Sequence, residues 1–219
     1  MGRSKVPNSP SIRRMPSYLH KLMLMHQDGE KYVSTTRLAE YINIDTIIVR
    51  KDLELTGISG QPGVGYKTDE LIAAIRRYLN WDRTCRACLV GAGSLGSALI
   101  GHEEFAEYGM EISAVFDSSP ERIDSIIHGH KILDVRRMRE LLKDDLPDMG
   151  IICVPSHCAQ MVTDELISCG VKAFWNFANV CLKVPEDVIV QREVIAGGFA
   201  MLSVKLARRV SRQPDLPED

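Results

Sequence analysis

The sequence predicts an α/β protein: an N-terminal winged helix-turn-helix domain, then a Rossmann-type doubly wound parallel sheet, then a C-terminal helix. Three observations support this prediction. Residues 34–53 have the pattern of a helix, a tight turn and a second helix; four glycines and a proline follow within residues 57–65; and from residue 87 short apolar strands alternate with helices. We expect a mobile arm at residues 1–11, domains at 12–80 and 84–195, and the last helix at 196–212.

The composition is that of a globular protein, with 45% hydrophobic and 26% charged residues among 219, which argues against a disordered or fibrous chain. No stretch approaches the ~18 consecutive apolar residues that a transmembrane helix needs. Residues 1–16 are polar and basic and lack the apolar segment of a secretory signal. We therefore expect a soluble cytoplasmic protein.

Charge is distributed unevenly along the chain. Residues 1–80 hold 12 Lys and Arg against 8 Asp and Glu, whereas residues 81–219 hold 15 against 21. Because a basic surface releases counterions when it meets a polyanion, the N-terminal part is the one expected to face nucleic acid.

Six cysteines include a single C-x-x-C pair, Cys85 and Cys88. A structural zinc site needs a second pair with matching spacing, and the sequence offers none. Since Cys88 leads directly into an apolar run, we expect these two residues to be packed or bystander thiols, and we predict no metal site.

The first domain begins with a helix for which Pro16 is the expected first residue, with Tyr18, Leu22 and Met25 on one face. In the helix pair that follows, Ser34 or Thr35 can cap the first helix.

Asn43 lies where the turn between the two helices requires a positive φ. Asp45 can cap the second helix, whose apolar face we expect to include Val49, Leu53 and Ile48 or Ile47.

Such a second helix is the one that enters the major groove of DNA in a helix-turn-helix. The glycine-rich segment after it is expected to be a wing, followed by a helix over residues 69–80. The expected DNA contacts are Ser34, Thr35, Thr46, Ile47, Arg50, Lys51, Gly63 and Tyr66.

A glycine motif opens the second domain in its full structural context. The strand at 87–90 leads into GAGSLG at 91–96, a helix follows, and the next strand, at 112–117, ends in Asp117, 21 residues beyond Gly96. In a G-x-G-x-x-G loop the first glycine makes the tight turn, the second admits a pyrophosphate and the third allows close helix packing. Asp117 is expected to bind the adenosine ribose, which favours NAD(H) over NADP(H).

Further elements continue the alternation: strands near 131–133, at 150–154 and at 171–176, and helices at 135–143, 158–168 and 197–209. Pro155 ends the strand at 150–154. The expected cofactor-binding residues are Gly91, Ala92, Gly93, Ser94, Leu95, Gly96, Asp117, Ser118, Val154, Pro155, Asn176 and Phe177.

The second domain leaves no room for a separate substrate domain, and no Tyr-x-x-x-Lys motif follows the glycine loop. His157 could serve as a catalytic acid, but it has no carboxylate partner in the sequence. We therefore expect it to be a surface loop histidine. We therefore predict a sensed nucleotide, not an enzyme. Two alternatives stay open: a small NAD-dependent oxidoreductase, and a regulator whose second domain binds another adenine compound, such as coenzyme A, or only dimerises.

Taken in order, these residues resemble the Rex family of redox-sensing transcriptional repressors over residues 12–209. The resemblance rests on IRRMP at 12–16, VRKDL at 49–53, GVGY at 63–66, GAGSLG at 91–96, WNFA at 175–178 and LKVP at 182–185. It implies a homodimer that exchanges the C-terminal helix, an inverted-repeat operator, NADH as the ligand that loosens DNA binding and NAD⁺ as a weak competitor. It also places Phe177 near the nicotinamide.

The chain departs from the family pattern at several positions. Ile48 stands where Gln is common, and Asn179 where Pro is usual. The family typically uses an Arg, a Tyr and an Asp to couple nucleotide to DNA, and at the matching positions this chain has His20, His102 and Val194, or Glu193 in place of Val194 if the alignment shifts by one residue. We therefore predict NADH binding with a weakened effect on DNA.

Overall fold

The computed structural model describes residues 9–210, which form two compact units. The first unit runs to Cys85 and also includes Glu104–Glu111; the second comprises Arg86–Glu103 and the chain from Ile112 onward. The units therefore interleave in sequence, and the boundary expected at residues 80–84 misses the segment 104–111. Among the described residues no helix is long and apolar enough to cross a membrane.

Short helices and a small sheet build the first unit. Its elements are α1 (Ser9–Gln27), β1 (Tyr32–Val33), α2 (Thr35–Ile42), α3 (Thr46–Glu54), β2 (Tyr66–Lys67), α4 (Thr68–Tyr78) and, from the inserted segment, α6 (Glu104–Glu107). The strands β1 and β2 pair antiparallel, and a bridge between Gln61 and Gly65 closes the wing.

The turn between α2 and α3 forms as the sequence predicts. Ser34 is the N-cap of α2 and its side chain accepts from Arg37 N–H, while Asp45 caps α3 by accepting from Ile47 N–H at 2.7 Å. Asn43 ends α2 with φ 54°, in the left-handed region that asparagine tolerates better than most residues.

Two expectations for the first unit are wrong. The helix α1 begins at Ser9, inside the range expected to be a mobile arm, so Pro16 lies within the helix and Pro10 occupies its first turn, where a missing N–H costs nothing; residues 1–8 of that range lie outside the described residues. On α3, both Ile47 and Ile48 are exposed, because Val49 and Leu53 already occupy its buried face.

A mixed sheet with flanking helices forms the second unit. Its elements are β3 (Cys85–Val90), α5 (Ser94–Ile100), β4 (Met110–Asp117), β5 (Ile126–Ile127), β6 (His130–Asp134), a 3-10 turn (Val135–Arg137), α7 (Met138–Leu141), β7 (Met149–Ile152), α8 (Ser156–Cys169), β8 (Ala173–Asn176), β9 (Ile189–Arg192) and α9 (Ala196–Val210). The strand order is β5-β6-β4-β3-β7-β8-β9.

Parallel pairing joins β4 to β6, β3 to β7, β7 to β8 and β8 to β9, and only the β5–β6 hairpin among the described pairs of this sheet is antiparallel. Sequence reasoning missed β5, β9 and α6, which are short or lie at a sheet edge. The chain leaves β3 toward β4 on one side and returns to β7 on the other. The sheet therefore has a switch point between β3 and β7, where ligands bind in open α/β sheets.

Candidate functional site

A cleft of about 610 Å³ opens at this switch point, a size typical of cofactor sites. Its walls are the segments that follow β3, β4, β7 and β8. Parallel strands end at one edge of the sheet, so residues far apart in sequence meet there.

The glycine loop forms one wall, and its three glycines differ in their surroundings. Gly91 has φ 103°, and a Cβ there would lie 2.7 Å from the Cys153 carbonyl oxygen. A Cβ at Gly96 would lie 1.9 Å from the Gly91 carbonyl oxygen, so α5 packs directly on the loop. Gly93 has nothing within 4 Å of an added Cβ, so its open space faces the cleft.

Asp117 holds the loop from the end of β4. Ala92 N–H donates to its Oδ2 at 2.7 Å and Ser119 N–H to its Oδ1 at 2.8 Å, while Arg122 Nη1 lies 3.6 Å from Oδ2. The carboxylate is 6% exposed and still lines the cleft. It therefore orders the glycine loop and places an acidic side chain in the wall of the cleft.

The opposite end of the cleft is built by the turn after β8. Asn176 is buried; its Nδ2 donates to the Val180 carbonyl and its Oδ1 accepts from Ala178 N–H, which fixes the turn. Phe177 packs on Trp175 with ring centroids 4.8 Å apart and lines the cleft. Asn179 Oδ1 accepts from Arg192 Nη2 at 2.8 Å, which ties this rim to the end of β9.

The structure brings most of the predicted cofactor residues together. Those that line the cleft are Gly91, Gly93, Leu95, Asp117, Ser118, Val154, Pro155 and Phe177. Ala92, Ser94, Gly96 and Asn176 do not line it, and the contacts of Ala92, Gly96 and Asn176 support the walls. Sequence reasoning missed lining residues whose patterns carry no motif, chiefly Ser119, Arg122, Val135, Cys153, Ser156, Cys158, Met161, Ala178 and Asn179.

The thiols near this unit's core are not activated. Burial raises the pKa of Cys153 to about 12 and, as the largest cause, that of Cys88 to about 12. Both therefore stay protonated at neutral pH. His157 is exposed at the start of α8 and is not among the residues that line the cleft.

A second concave surface lies in the first unit, between the N-terminus of α2, the outer face of α3 and the wing, with a volume of about 510 Å³. Of the predicted DNA contacts, Ser34, Thr35, Arg50, Gly63 and Tyr66 line this groove, whereas Thr46, Ile47 and Lys51 do not.

Arg50 and Lys51 are both exposed, as a recognition helix requires. Tyr66 is 8% exposed and packs in the core, so its side chain supports the wing more than it offers a contact.

Two family models match the chain. One described as "CoA binding domain" matches residues 82–180, and one described as "Putative DNA-binding protein N-terminus" matches residues 5–54. The two matches separate at nearly the same point as the two units of the structure.

Relatives named "Redox-sensing transcriptional repressor Rex" align along nearly the whole chain. That of Treponema denticola is 42% identical and the alignment covers 94% of this chain and 98% of the relative. That of Porphyromonas gingivalis is 38% identical over 95% and 94%. That of Clostridium botulinum is 35% identical over 94% and 98%.

Solved structures of a Rex-family repressor, RSP, have the same fold. RSP in complex with beta-NAD⁺ and operator DNA has a TM-score of 0.83 at 30% identity, covering 95% of this chain and 96% of RSP. RSP in complex with beta-NADH has a TM-score of 0.82 at 28% identity, covering 95% and 98%.

Proposed function

Because the chain belongs to the Rex family of redox-sensing transcriptional repressors, we propose that it binds operator DNA with its first unit and that NADH in the cleft of its second unit weakens this binding. One observation supports the proposal most directly. The same chain combines an exposed Arg50 on the second helix of a helix-turn-helix with a glycine loop that is open at Gly93 beside Asp117.

The cleft suits NAD(H) as the sensed ligand. Gly93 offers room for a pyrophosphate next to the N-terminus of α5, and Asp117 offers an acceptor for ribose hydroxyls. A 2′-phosphate at the same place would be repelled by the carboxylate, so NADPH is expected to bind more weakly. Phe177 supplies an aromatic surface for the nicotinamide end.

The dinucleotide acts as a ligand and not as a reagent. The relatives are named as repressors, and the cleft-lining carboxylate, Asp117, is engaged by backbone N–H groups of its own chain. Incubation with NADH and small carbonyl substrates is expected to leave NADH unoxidised.

The working form is a homodimer on an inverted-repeat operator. A two-fold protein matches a two-fold DNA site, which places one recognition helix on each half-site. The helix α9 is the candidate dimer element. Because the protein acts on operator DNA, the cytoplasm is the compartment we propose for it.

The test first identifies the DNA duplex that the protein prefers. The purified full chain selects its preferred duplex from a randomised library, and the Kd for that duplex is measured alone and with saturating NADH, NAD⁺ or coenzyme A. We expect NADH to raise the Kd about 5-fold to 50-fold, a usual range for coupling between sites, and NAD⁺ and coenzyme A to raise it much less. Failure to select any duplex, or a larger response to coenzyme A than to NADH, would overturn the proposal.

A further inference from the structure

A buried carboxylate lies on the inner side of α3. Asp52 is 1% exposed and follows directly after Lys51. Its helical neighbours on the same face, Val49 and Leu53, are fully buried. A carboxylate taken out of water is costly unless it is paired and hydrogen-bonded, so its presence among these apolar residues requires a partner.

Its hydrogen-bond partners lie on α1. Arg14 Nε donates to Asp52 Oδ2 at 2.7 Å and Arg14 Nη2 to Oδ1 at 2.8 Å, which is a bidentate pair. The Tyr18 hydroxyl donates to Oδ2 at 2.7 Å. Because Arg14 and Tyr18 are four residues apart, they project from one face of α1 and hold the carboxylate from two directions.

The charges support this arrangement. Burial disfavours ionisation of Asp52, but the hydrogen bonds from Arg14 and Tyr18 outweigh it and hold the pKa of the carboxyl below its usual value. The hydrogen bond to Asp52 raises the pKa of Arg14, and burial, followed by the same carboxylate, raises that of Tyr18. The group is therefore a carboxylate, a guanidinium and a neutral phenol at neutral pH.

The apolar packing between α1 and α3 constrains the rotation of α3 less sharply than a hydrogen bond does. Met15, Leu19, Val49 and Leu53 are fully buried apolar residues, and apolar contacts have no preferred direction. A bidentate pair has a preferred direction, since both of its hydrogen bonds weaken when either helix rotates.

We propose that Asp52, clamped by Arg14 and Tyr18, is a positioning residue for DNA recognition: it sets the rotation of α3 about its own axis and thereby aims Arg50 and Lys51. The inference rests on the proposed DNA-binding function and adds to it a residue that touches no DNA.

The helix geometry shows why rotation matters. At 3.6 residues per turn, Arg50 projects about 200° around the helix from Asp52, so the clamp and the proposed base contact lie on opposite sides of α3. A rotation of about 20° moves an atom about 8 Å from the helix axis by about 3 Å, as much as the whole length of a hydrogen bond.

The test compares two duplexes, the one selected by the unmodified protein and a scrambled duplex of the same composition. Asp52→Asn is expected to weaken binding to the selected duplex about 10-fold to 100-fold, and binding to the scrambled duplex less than about 3-fold, because backbone phosphates are contacted without base reading. Arg14→Lys keeps the charge but not the fork, and is expected to lose specificity as well. Tyr18→Phe, which keeps the ring, is expected to lose about 3-fold to 10-fold.

Glu40→Gln is the matched control, since it removes one exposed carboxylate from the neighbouring α2. It is expected to leave the ratio of the two affinities unchanged. All measurements are made at a temperature at which Trp81 fluorescence, followed in a Trp175→Phe background, reports a folded first unit.

The outcomes separate three explanations. Equal losses on both duplexes would mean that Asp52 only keeps the unit folded and would overturn the proposal. An unchanged ratio in Arg14→Lys and Tyr18→Phe would overturn it even if Asp52→Asn did not fold. An unmodified protein that prefers no duplex would remove the proposed function, and this inference with it.

Discussion

At the scale of single residues, the glycines of the nucleotide loop meet different physical demands. Gly91 and Gly96 are required by the chain's own backbone, since an added Cβ at either would overlap a carbonyl oxygen. Gly93 is required by nothing in the protein, because an added Cβ there meets open space. The structure therefore separates the glycine that a ligand would need from those that the fold needs.

Cofactor binding can be tested at this site with substitutions of Gly93 and Asp117. Gly93→Val is expected to fold normally and to lose NADH binding, because its side chain would occupy the pyrophosphate position. Asp117→Ala is expected to weaken NADH about 10-fold to 100-fold, as the loss of a charge-assisted hydrogen bond of about 1.5–3 kcal/mol implies, and to narrow the gap to NADPH. Calorimetric titration with both nucleotides measures this.

The controls for this prediction follow from the same geometry. Gly96→Val is expected to lower the melting temperature even without ligand, because the valine Cβ would overlap the Gly91 carbonyl oxygen. NADPH binding as tight as NADH binding in the unmodified protein would show that Asp117 does not select the cofactor.

Asp52 gives a prediction about pH. Its lowered pKa means that its contribution to the free energy of unfolding is present above the pKa of an unfolded aspartate, about 3.9, and is lost as the pH falls through the lower pKa of the folded state. Asp52→Asn is therefore expected to destabilise the first unit by about 3 kcal/mol at neutral pH, a difference that shrinks below about pH 4.

Urea unfolding followed by Trp81 emission, in a Trp175→Phe background, measures this difference for the first unit alone. A difference that stays constant as the pH falls well below about 4 would show that folding does not lower the pKa of Asp52, and would contradict the prediction.

At the scale of elements, α3 has a buried and an exposed face with separate tasks. Val49, Asp52 and Leu53 fix it to α1, whereas Arg50 and Lys51 point to solvent. The sequence predicted both faces from helical periodicity, and Ile47 is exposed as its predicted DNA contact requires, but the assignment of Ile48 or Ile47 to the buried face was wrong. Asp52 itself lies at a position three after Val49 and one before Leu53, so the same periodicity could have shown a buried acid in need of a base.

The exposed face yields a prediction about DNA. Replacing both Arg50 and Lys51 with Ala is expected to abolish specific binding, since an arginine that reads guanine contributes about 1–3 kcal/mol of discrimination and a phosphate-bound lysine mainly sets the salt dependence. The Kd for the selected duplex is measured at several salt concentrations, and NADH binding is expected to stay unchanged.

A control of equal charge accompanies it. Lys143 and Lys172 are exposed in the second unit, and replacing both with Ala removes the same two positive charges. If the two double variants bound DNA equally well, α3 would have no special part in recognition.

At the scale of the whole molecule, α9 presents an uncovered apolar face. Phe199, Leu202 and Leu206 lie three and four residues apart and are 73%, 53% and 54% exposed. Burying side chains of this size stabilises by about 1.5–3 kcal/mol each. Phe199→Asp with Leu206→Asp is therefore expected to convert the proposed dimer into monomers, which sedimentation equilibrium would detect. If the double variant formed dimers with the same dissociation constant as the unmodified protein, the dimer interface would lie elsewhere.

The coupling between ligand and DNA is the family property that the sequence departures of this chain affect most directly. His20 stacks on Tyr41 with centroids 6.4 Å apart, and Val194 is 46% exposed and offers no charge. By motif matching, His20, His102 and Val194 are predicted to occupy the positions of the Arg, the Tyr and the Asp that the family typically has. We therefore expect saturating NADH to weaken operator binding by less than about 100-fold, since a ligand shifts a switch only by its differential affinity for the two states.

Operator affinity measured with and without saturating NADH decides between the two outcomes. A loss of affinity of about 100-fold or more on addition of NADH would show that the switch works without the missing residues.

The sequence by itself determined the features that are local. Caps, the left-handed Asn43, the glycine loop and the alternation of strands and helices are each specified by residues a few positions apart, so their physics is visible in a short window. The matching of motifs in order was enough to indicate the family.

Only the tertiary structure decided what depends on distant residues. The clamp joins Arg14 to Asp52 across 38 positions in the sequence. The segment 104–111 belongs to the first unit although it interrupts the second in sequence. Arg192 donates to Asn179 from an edge strand that the sequence pattern did not predict. Such contacts form because packing brings the elements together, and a pairing between two distant positions leaves no pattern within either one's neighbourhood.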